Sequence, residues 1–365
     1  MITFTAAVLL AALYGDTPDE KHAWSVHDWR RPKPVRVTPA ATPGGAPSDA
    51  VVLFDGSKES FERNWCDKNG NRSAWKMGDG YFYPAPGWKN GGDIFTRARF
   101  GDCQLHIEYR HDPDQLYADK GPQMRGNSGV FLMGNYEIQV LESYHTSRED
   151  LSVDNYTDGQ AGAVYAENPP MVNPARKPGE WQVYDIVFHQ PVWEDGKLKH
   201  PGSVSVFFNG VLVQDHWEME GLTTHCVRRP LAPHADKGQL RLQDHGCVVQ
   251  FRNIWYRPLP SRWDNKTHSA MSGDTAAVMA LRRETAAKLF GEIADPAAAD
   301  EKTLLQLAEV VGYANEGKYA ESFSRCLEAC RGGITDAAAI KRINKALNVL
   351  VRNRVIPGES LLKAK

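Results

Sequence analysis

The sequence predicts a mainly β protein, an antiparallel jelly-roll sandwich with a C-terminal α-helical appendage. Three observations predict it. Between residues 51 and 258, short apolar-alternating runs are separated by Gly, Pro, Asn and Asp, with no helix long enough for a crossover. After residue 274 the apolar spacing changes to three and four. Composition shifts at the same place: all ten Trp and all but two of the 22 Pro precede residue 264, and the tail is rich in Ala, Leu, Lys and Glu.

The 365 residues suit two domains, with a boundary near 258–274. A balance of 43 Lys+Arg against 45 Asp+Glu excludes the basic footprint of a dedicated nucleic-acid binder. No apolar run reaches the roughly 18 residues of a membrane-spanning helix.

In chain order, residues 1–15 are apolar up to a polar shift at Asp16 and resemble the h-region of a secretory signal. They predict a signal peptide and a periplasmic or secreted protein, although no Lys or Arg precedes the apolar run. Residues 16–50 hold Pro18, Pro32, Pro34, Pro39, Pro43 and Pro47 with few aliphatics, and read as an extended linker. The sandwich is expected over 51–260. Its clearest strand is Cys103–Arg110, where Cys103, Leu105, Ile107 and Tyr109 alternate with Gln104, His106, Glu108 and Arg110. Its clearest hairpin is Ser203–Asp215, turned at Asn209-Gly210, a pair that favours a type I′ turn. Further strands are expected at 74–77, 81–83, 93–96, 129–133, 136–142, 163–166, 182–189, 239–243 and 248–257. A small helical domain is expected over 275–356, with helices at 275–293, 299–312, 318–329 and 335–353. It is a candidate surface for a protein partner or for self-association. Six cysteines do not make a disulfide scaffold at this length, and no CxxC supports a zinc ribbon. Gly312–Tyr319 has phosphate-loop glycine and lysine spacing, but Tyr stands where Ser or Thr would hold magnesium. Asp112, Asp114 and Asp119 lack the Gly and closing Glu of a calcium loop.

The polar chemistry gathers in three stretches. In Tyr136–Ser143, alternation puts Glu137, Gln139 and Leu141 on one face and Ile138, Val140 and Glu142 on the other. In Gln239–His245, Arg241, Gln243 and His245 share a face backed by Leu240 and Leu242. Arg125-Gly-Asn-Ser-Gly129 leads into the first stretch and contributes Arg125 and Asn127. If these faces coincide, the groove has carboxylate, amide and guanidinium groups for sugar hydroxyls, and Trp88 and Trp181 are stacking candidates.

Over residues 51–260 the sequence resembles the 3-keto-disaccharide hydrolase family. The resemblance rests on an ordered series: Leu53-Phe-Asp-Gly56, Gly91-Gly-Asp93, Phe100-Gly-Asp102, Gly126-Asn-Ser-Gly129 and Tyr136-Glu-Ile-Gln139. It continues with Ala161-Gly-Ala163, Lys177-Pro-Gly-Glu-Trp181, Asn209-Gly210, Leu242-Gln-Asp-His-Gly246 and Phe251-Arg-Asn-Ile254. It implies a concanavalin A-like sandwich and carbohydrate chemistry in the envelope or outside the cell. Laminarinase-type enzymes of that fold carry Glu-x-Asp-x-Glu on one strand. The run here, Glu137-Ile-Gln-Val-Leu141, has Gln and Leu at the second and third positions, so the second carboxyl of ordinary retaining hydrolysis is missing.

A 3-keto sugar avoids that need. Its ketone acidifies the C2 hydrogen, one base removes it, and the enolate expels the C1 oxygen by β-elimination, with water adding later for net hydrolysis. The catalytic candidates are Glu137 and His245, with Arg125, Asn127, Gln139, Gln243 and Trp181 binding substrate. The resemblance itself assigns none of these roles. A divalent cation held by some of Glu137, Glu142, Asp244 and His245 would stabilise the enolate, though no spacing demands one and no cofactor is implied with certainty. The competing expectation is a non-catalytic glycan-binding module with a helical interaction domain, because fold alone does not fix function.

Overall fold

The structure is a computed structural model that describes residues 15–85, 91–112, 114, 121–145, 156–259 and 275–363. Residues 1–14 of the signal-peptide stretch, Trp88, Asp119 and the boundary segment 260–274 lie outside the described residues. The chain divides into two compact units, Arg36–Leu259 and a second built from the residues before 36 and after 259.

In chain order the first unit contains β1 (Val51–Phe54), α1 (Lys58–Asn64), β2 (Trp65–Cys66), β3 (Lys76–Met77) and β4 (Phe82–Tyr83). Next come β5 (Ile94–Phe100), β6 (Cys103–His111), β7 (Ser128–Leu132), β8 (Tyr136–Val140) and β9 (Gln182–His189). They are followed by β10 (Val192–Glu194), β11 (Lys197–His200), β12 (Ser203–Phe208) and β13 (Val211–Glu218). The last are β14 (Gly221–Leu222), β15 (Arg229–Pro230), β16 (Gly238–Leu242) and β17 (Val249–Pro258). One sheet runs β13-β12-β9-β6-β17-β4-β3, with β1 also on β17, and the other runs β2-β5-β16-β7-β8. Every pairing is antiparallel. The unit is the antiparallel sandwich that the alternation predicts, in the two-sheet form that the family resemblance implies.

Period two explains the core. Leu105, Ile107, Tyr109, Tyr184, Ile186 and Phe188 from the larger sheet face Ile94, Val130, Ile138, Leu240 and Leu242 from the smaller, all fully buried. At Asn209-Gly210, φ is +51° and +80°, as a type I′ turn requires. The 163–166 run forms only single bridges, Val164 with Ile138 and with Asn168. Helix α1 escapes sequence reading because seven residues with two buried positions, Ser60 and Phe61, are too short to show a period.

The Pro-rich stretch divides between the units. Residues 36–50 pack on the larger sheet, where the Gly44 carbonyl accepts from Asn253 Nδ2 and Trp255 Nε1, each at 2.9 Å. Residues 15–35 pack with the helices: Ala23 is fully buried, Trp24 meets Tyr313 edge-on, and Arg30 pairs with Glu309 at 2.6 Å. A few anchoring side chains thus dock a segment whose scarcity of aliphatics reads as a linker.

The second unit has α2 (Thr275–Gly291), α3 (Glu301–Tyr313), α4 (Gly317–Gly333) and α5 (Ala337–Arg352). Asp300 and Asp336 cap α3 and α5 by accepting from backbone N–H groups of their first turns. The phosphate-loop-like run straddles the end of α3 and the start of α4. None of the six cysteines, all among the described residues, is in a disulfide. No described helix is long and apolar enough to cross a membrane.

Candidate functional site

The outer face of the five-stranded sheet carries a cleft of about 430 Å³, and strand register builds its floor. Arg241 on β16 pairs with Phe131 on β7, and Phe131 pairs with Glu137 on β8. Beyond β8, the Tyr165 N–H donates to the Glu137 carbonyl at 3.1 Å and Val164 bridges Ile138, so Tyr165 stands opposite Glu137. One row therefore reads Arg241, Phe131, Glu137, Tyr165. The next reads Gln243, Gly129, Gln139: Gly129 pairs with Gln139, and the Gln243 N–H donates to the Gly129 carbonyl at 3.1 Å. Alternation sends all these side chains outward while Val130, Ile138 and Leu242 go to the core. Gln123, Asn127, Tyr156, Thr223, Thr224, His225 and His245 complete the lining.

The loops sink Glu137 and Gln139 to 5% and 1% exposure. Burial pushes the Glu137 carboxyl up to about 8, with Arg241 opposing the rise and Asp93 adding to it. Room for the carboxyl comes from Gly129, where a Cβ would clash with Glu137 Oε1. Arg241 is fixed from two sides. Its Nη1 donates to Asp93 Oδ2 at 3.1 Å, and its guanidinium lies 3.5 Å from the Phe131 ring centroid. Arg241 Nε, Gln139 Oε1 and Gln243 Oε1 are buried without a protein partner. One buried donor and two buried acceptors thus await hydrogen-bonding groups, as sugar hydroxyls and a carbonyl would supply.

The structure brings together Glu137, His245, Asn127, Gln139 and Gln243 in this cleft. It does not bring in Arg125 or Trp181. Arg125 closes on Glu142, which is 3% exposed and also accepts from the Tyr144 N–H at 2.8 Å. Trp181 lies on the outer face of the other sheet, between Arg110 and Arg252 at 4.6 and 4.0 Å from its ring centroid. The proposed cation ligands do not converge. Glu142 is held by Arg125, and Asp244 accepts from the N–H groups of Gly91 and Gly246. Among the described residues no group of three or more His, Cys, Asp or Glu could hold a metal ion.

Sequence reasoning missed the roof. Tyr156 and Tyr165 share a hydroxyl contact at 3.1 Å, and Tyr165 Oη meets His225 Nδ1 at 2.8 Å. Tyr156 and His225 come from loops without periodicity, and Tyr165 from the short 163–166 run, which forms only single bridges. The motif Ala161-Gly-Ala163 beside Tyr165 was the available signal.

A β-sandwich whose outer face holds a polar cleft, with two buried amide oxygens and an arginine Nε lacking protein partners, fits a carbohydrate-active protein of the glycosyl hydrolase-like class. The chain belongs to the family of 3-keto-alpha-glucoside-1,2-lyase-like domains, whose model matches residues 49–257. Among solved structures, one candidate glycosyl hydrolase from Parabacteroides distasonis ATCC 8503 is 37% identical. It covers 65% of this chain and 98% of its own, with a TM-score of 0.56. A second candidate glycosyl hydrolase from the same organism is 19% identical, covering 62% of this chain and all of its own, with a TM-score of 0.42. None of the curated proteins compared with the chain matches it.

Proposed function

We propose that the protein cleaves 3-keto-glycosides by abstracting the C2 proton and eliminating the C1 substituent. One observation carries this reading: Glu137 is the single carboxyl among the described cleft-lining residues. Retaining hydrolysis needs two carboxyls about 5–5.5 Å apart, and an inverting one needs two at wider spacing. Elimination next to a ketone needs one base, and a base is most effective when its pKa lies near the working pH. Glu137, at about 8, meets that condition. In this mechanism Glu137 takes the C2 proton. The Arg241 Nε–H and an N–H of His245 face the ketone oxygen as it becomes an enolate. Gln139, Gln243 and Asn127 hold hydroxyls and keep C2 over the carboxyl.

The test is turnover of a 3-keto-disaccharide and of its unoxidised parent by the purified chain. Cleavage of the keto sugar alone is expected. Tight binding of the unoxidised glycan without turnover of either would show a lectin instead. The apolar stretch at 1–15 supports export to the periplasm or outside the cell, and cell fractionation with N-terminal sequencing would overturn that reading if the intact N-terminus were found in the cytoplasm.

A further inference from the structure

The cleft has a neighbour. A second hollow of about 320 Å³ is lined by Glu167, Leu222, Val227, Arg228, Arg229 and Pro230, among others. The two hollows share Tyr165, Thr223 and Thr224 as a common wall. A glycoside lying across that wall would have its bridging oxygen at Tyr165.

Tyr165 is also the cross-strand neighbour of Glu137. Residues directly opposite in an antiparallel pair have Cβ atoms about 4.5–5.5 Å apart, so the phenol and the carboxyl point the same way from adjacent backbones. The phenol ends a chain of contacts that starts in solvent. Cys226 Sγ lies 3.2 Å from His225 Nε2, and His225 Nδ1 lies 2.8 Å from Tyr165 Oη. With the proton of His225 on Nδ1, the thiol donates to Nε2 and Nδ1–H donates to the phenol oxygen. The phenol O–H is then left for Tyr156 Oη, 3.1 Å away on the cleft wall, or for a substrate oxygen that takes its place. Both His225 and Cys226 are exposed, so a proton given up by Tyr165 is replaceable from water.

We propose that Tyr165 is the acid that protonates the departing bridging oxygen, and that the second hollow holds the leaving sugar or alcohol. The C2–H bond breaks and its proton goes to the Glu137 carboxylate. Its electron pair forms the C2–C3 double bond of the enolate. The enolate electrons return to make C1=C2 as the C1–O bond breaks. The bridging oxygen keeps that bond's pair and takes the phenol proton, and His225 returns a proton to the phenolate. Burial, with Tyr156 and Glu137 nearby, holds the phenol pKa well above its usual value. That keeps the proton in place until a strongly basic alkoxide develops.

This proposal rests on the 3-keto-glycoside reading, and the experiment separates the two. Y165F, H225Q and the wild type are compared on 3-keto-glucosides whose leaving groups run from 4-nitrophenol to methanol and a second hexose. Hydrogen exchange at C2 in deuterated water is followed in parallel. Y165F is expected to lose roughly 10²–10³-fold on the hexose and methanol leaving groups and almost nothing on 4-nitrophenol. It should keep C2 exchange, since Glu137 is untouched. H225Q should show the same pattern more weakly. V227W, which crowds the second hollow, should raise KM for the disaccharide about tenfold more than KM for the methyl glucoside, a difference of about 1.4 kcal/mol. Equal losses in Y165F on every leaving group, or no loss on the hexose, would overturn the assignment of Tyr165. An equal effect of V227W on both substrates would overturn the assignment of the hollow. A wild type that neither exchanges C2 nor cleaves any keto-glycoside overturns the parent reading and this one with it.

Discussion

In the proposed reaction burial makes Glu137 a stronger base, and burial costs stability. Its carboxyl titrates near 4.5 in an unfolded chain and at about 8 in the fold. A group whose folded pKa is raised contributes stability that is fully present below the unfolded value. That contribution is lost as pH rises through the folded value. The wild type should therefore weaken between pH 5 and 8, and E137Q, neutral throughout, should not. We expect thermal melting of E137Q to exceed the wild type by a margin that grows over that window. The margin should reach roughly 2–4 kcal/mol by pH 9, less than the full shift implies because an opening cleft readmits water. In the same variant kcat/KM should fall roughly 10²–10⁴-fold. The wild-type rate should climb with pH to a plateau above about 8, because only the ionised carboxyl accepts a proton. A pH-independent difference in melting between the two proteins would remove Glu137 from this role. His106 runs the other way in sign of charge but the same way in pH. Burial pulls its pKa down, Asp185 and Glu108 more than offset this, and the ring sits at about 9. The ion cluster beneath Gly44 is therefore intact below pH 6.5 and lost as pH rises through 9. Hydrogen exchange over residues 40–46 should quicken between pH 8 and 10 by more than the hydroxide catalysis shared by all amides, and D185N should bring that extra change to lower pH.

At the scale of elements, the site exists because β7 and β8 are in register with a glycine at the crossing. G129A puts a methyl where Glu137 Oε1 lies. The carboxyl must move by about an ångström, and such a displacement costs about 10²-fold in rate. We expect kcat to fall by that order while the melting temperature changes little, and the pH–rate midpoint to drop as the displaced carboxyl regains water. An unchanged midpoint would show that Gly129 does not set the carboxyl's place. The same period-two geometry made the floor legible in the sequence. Glu137, Gln139, Arg241 and Gln243 are outward positions on strands whose inward positions are Ile138, Val140, Leu240 and Leu242, and alternation leaves no other arrangement. Arg125 misled because Gly126, at φ +61°, turns the chain before β7 begins, so the strand's alternation does not reach back to it. Trp181 misled because a sequence cannot say which of two sheets a strand joins. The roof was illegible for a third reason. Tyr156 and His225 lie on loops placed by single hydrogen bonds, which leave no periodic trace, and the expected 163–166 strand that carries Tyr165 is too short to show which sheet it borders.

At the scale of the whole molecule, two hydrophobic cores fold under different rules. One is fed by aromatic-rich strands and the other by Ala- and Leu-rich helices. Chain order obscures this division, since residues 15–35 precede the sandwich yet pack with the helices. One tie is Arg30 to Glu309, a carboxyl only 4% exposed. Burial raises the Glu309 pKa, and Arg30 opposes that rise. Removing one partner of a buried pair costs about 3–5 kcal/mol, because the remaining charge has nothing to offset its lost hydration. Arg30 is partly exposed, so R30A should cost roughly 2–3 kcal/mol. The loss belongs to the helical core alone. Calorimetry of the full chain should show one transition moving down in temperature and a second, from the sandwich, staying in place, while keto-sugar turnover by R30A matches the wild type. If both transitions fell together, the two cores would be one cooperative unit, and the residues before the sandwich would owe their placement to the sandwich as much as to the helices.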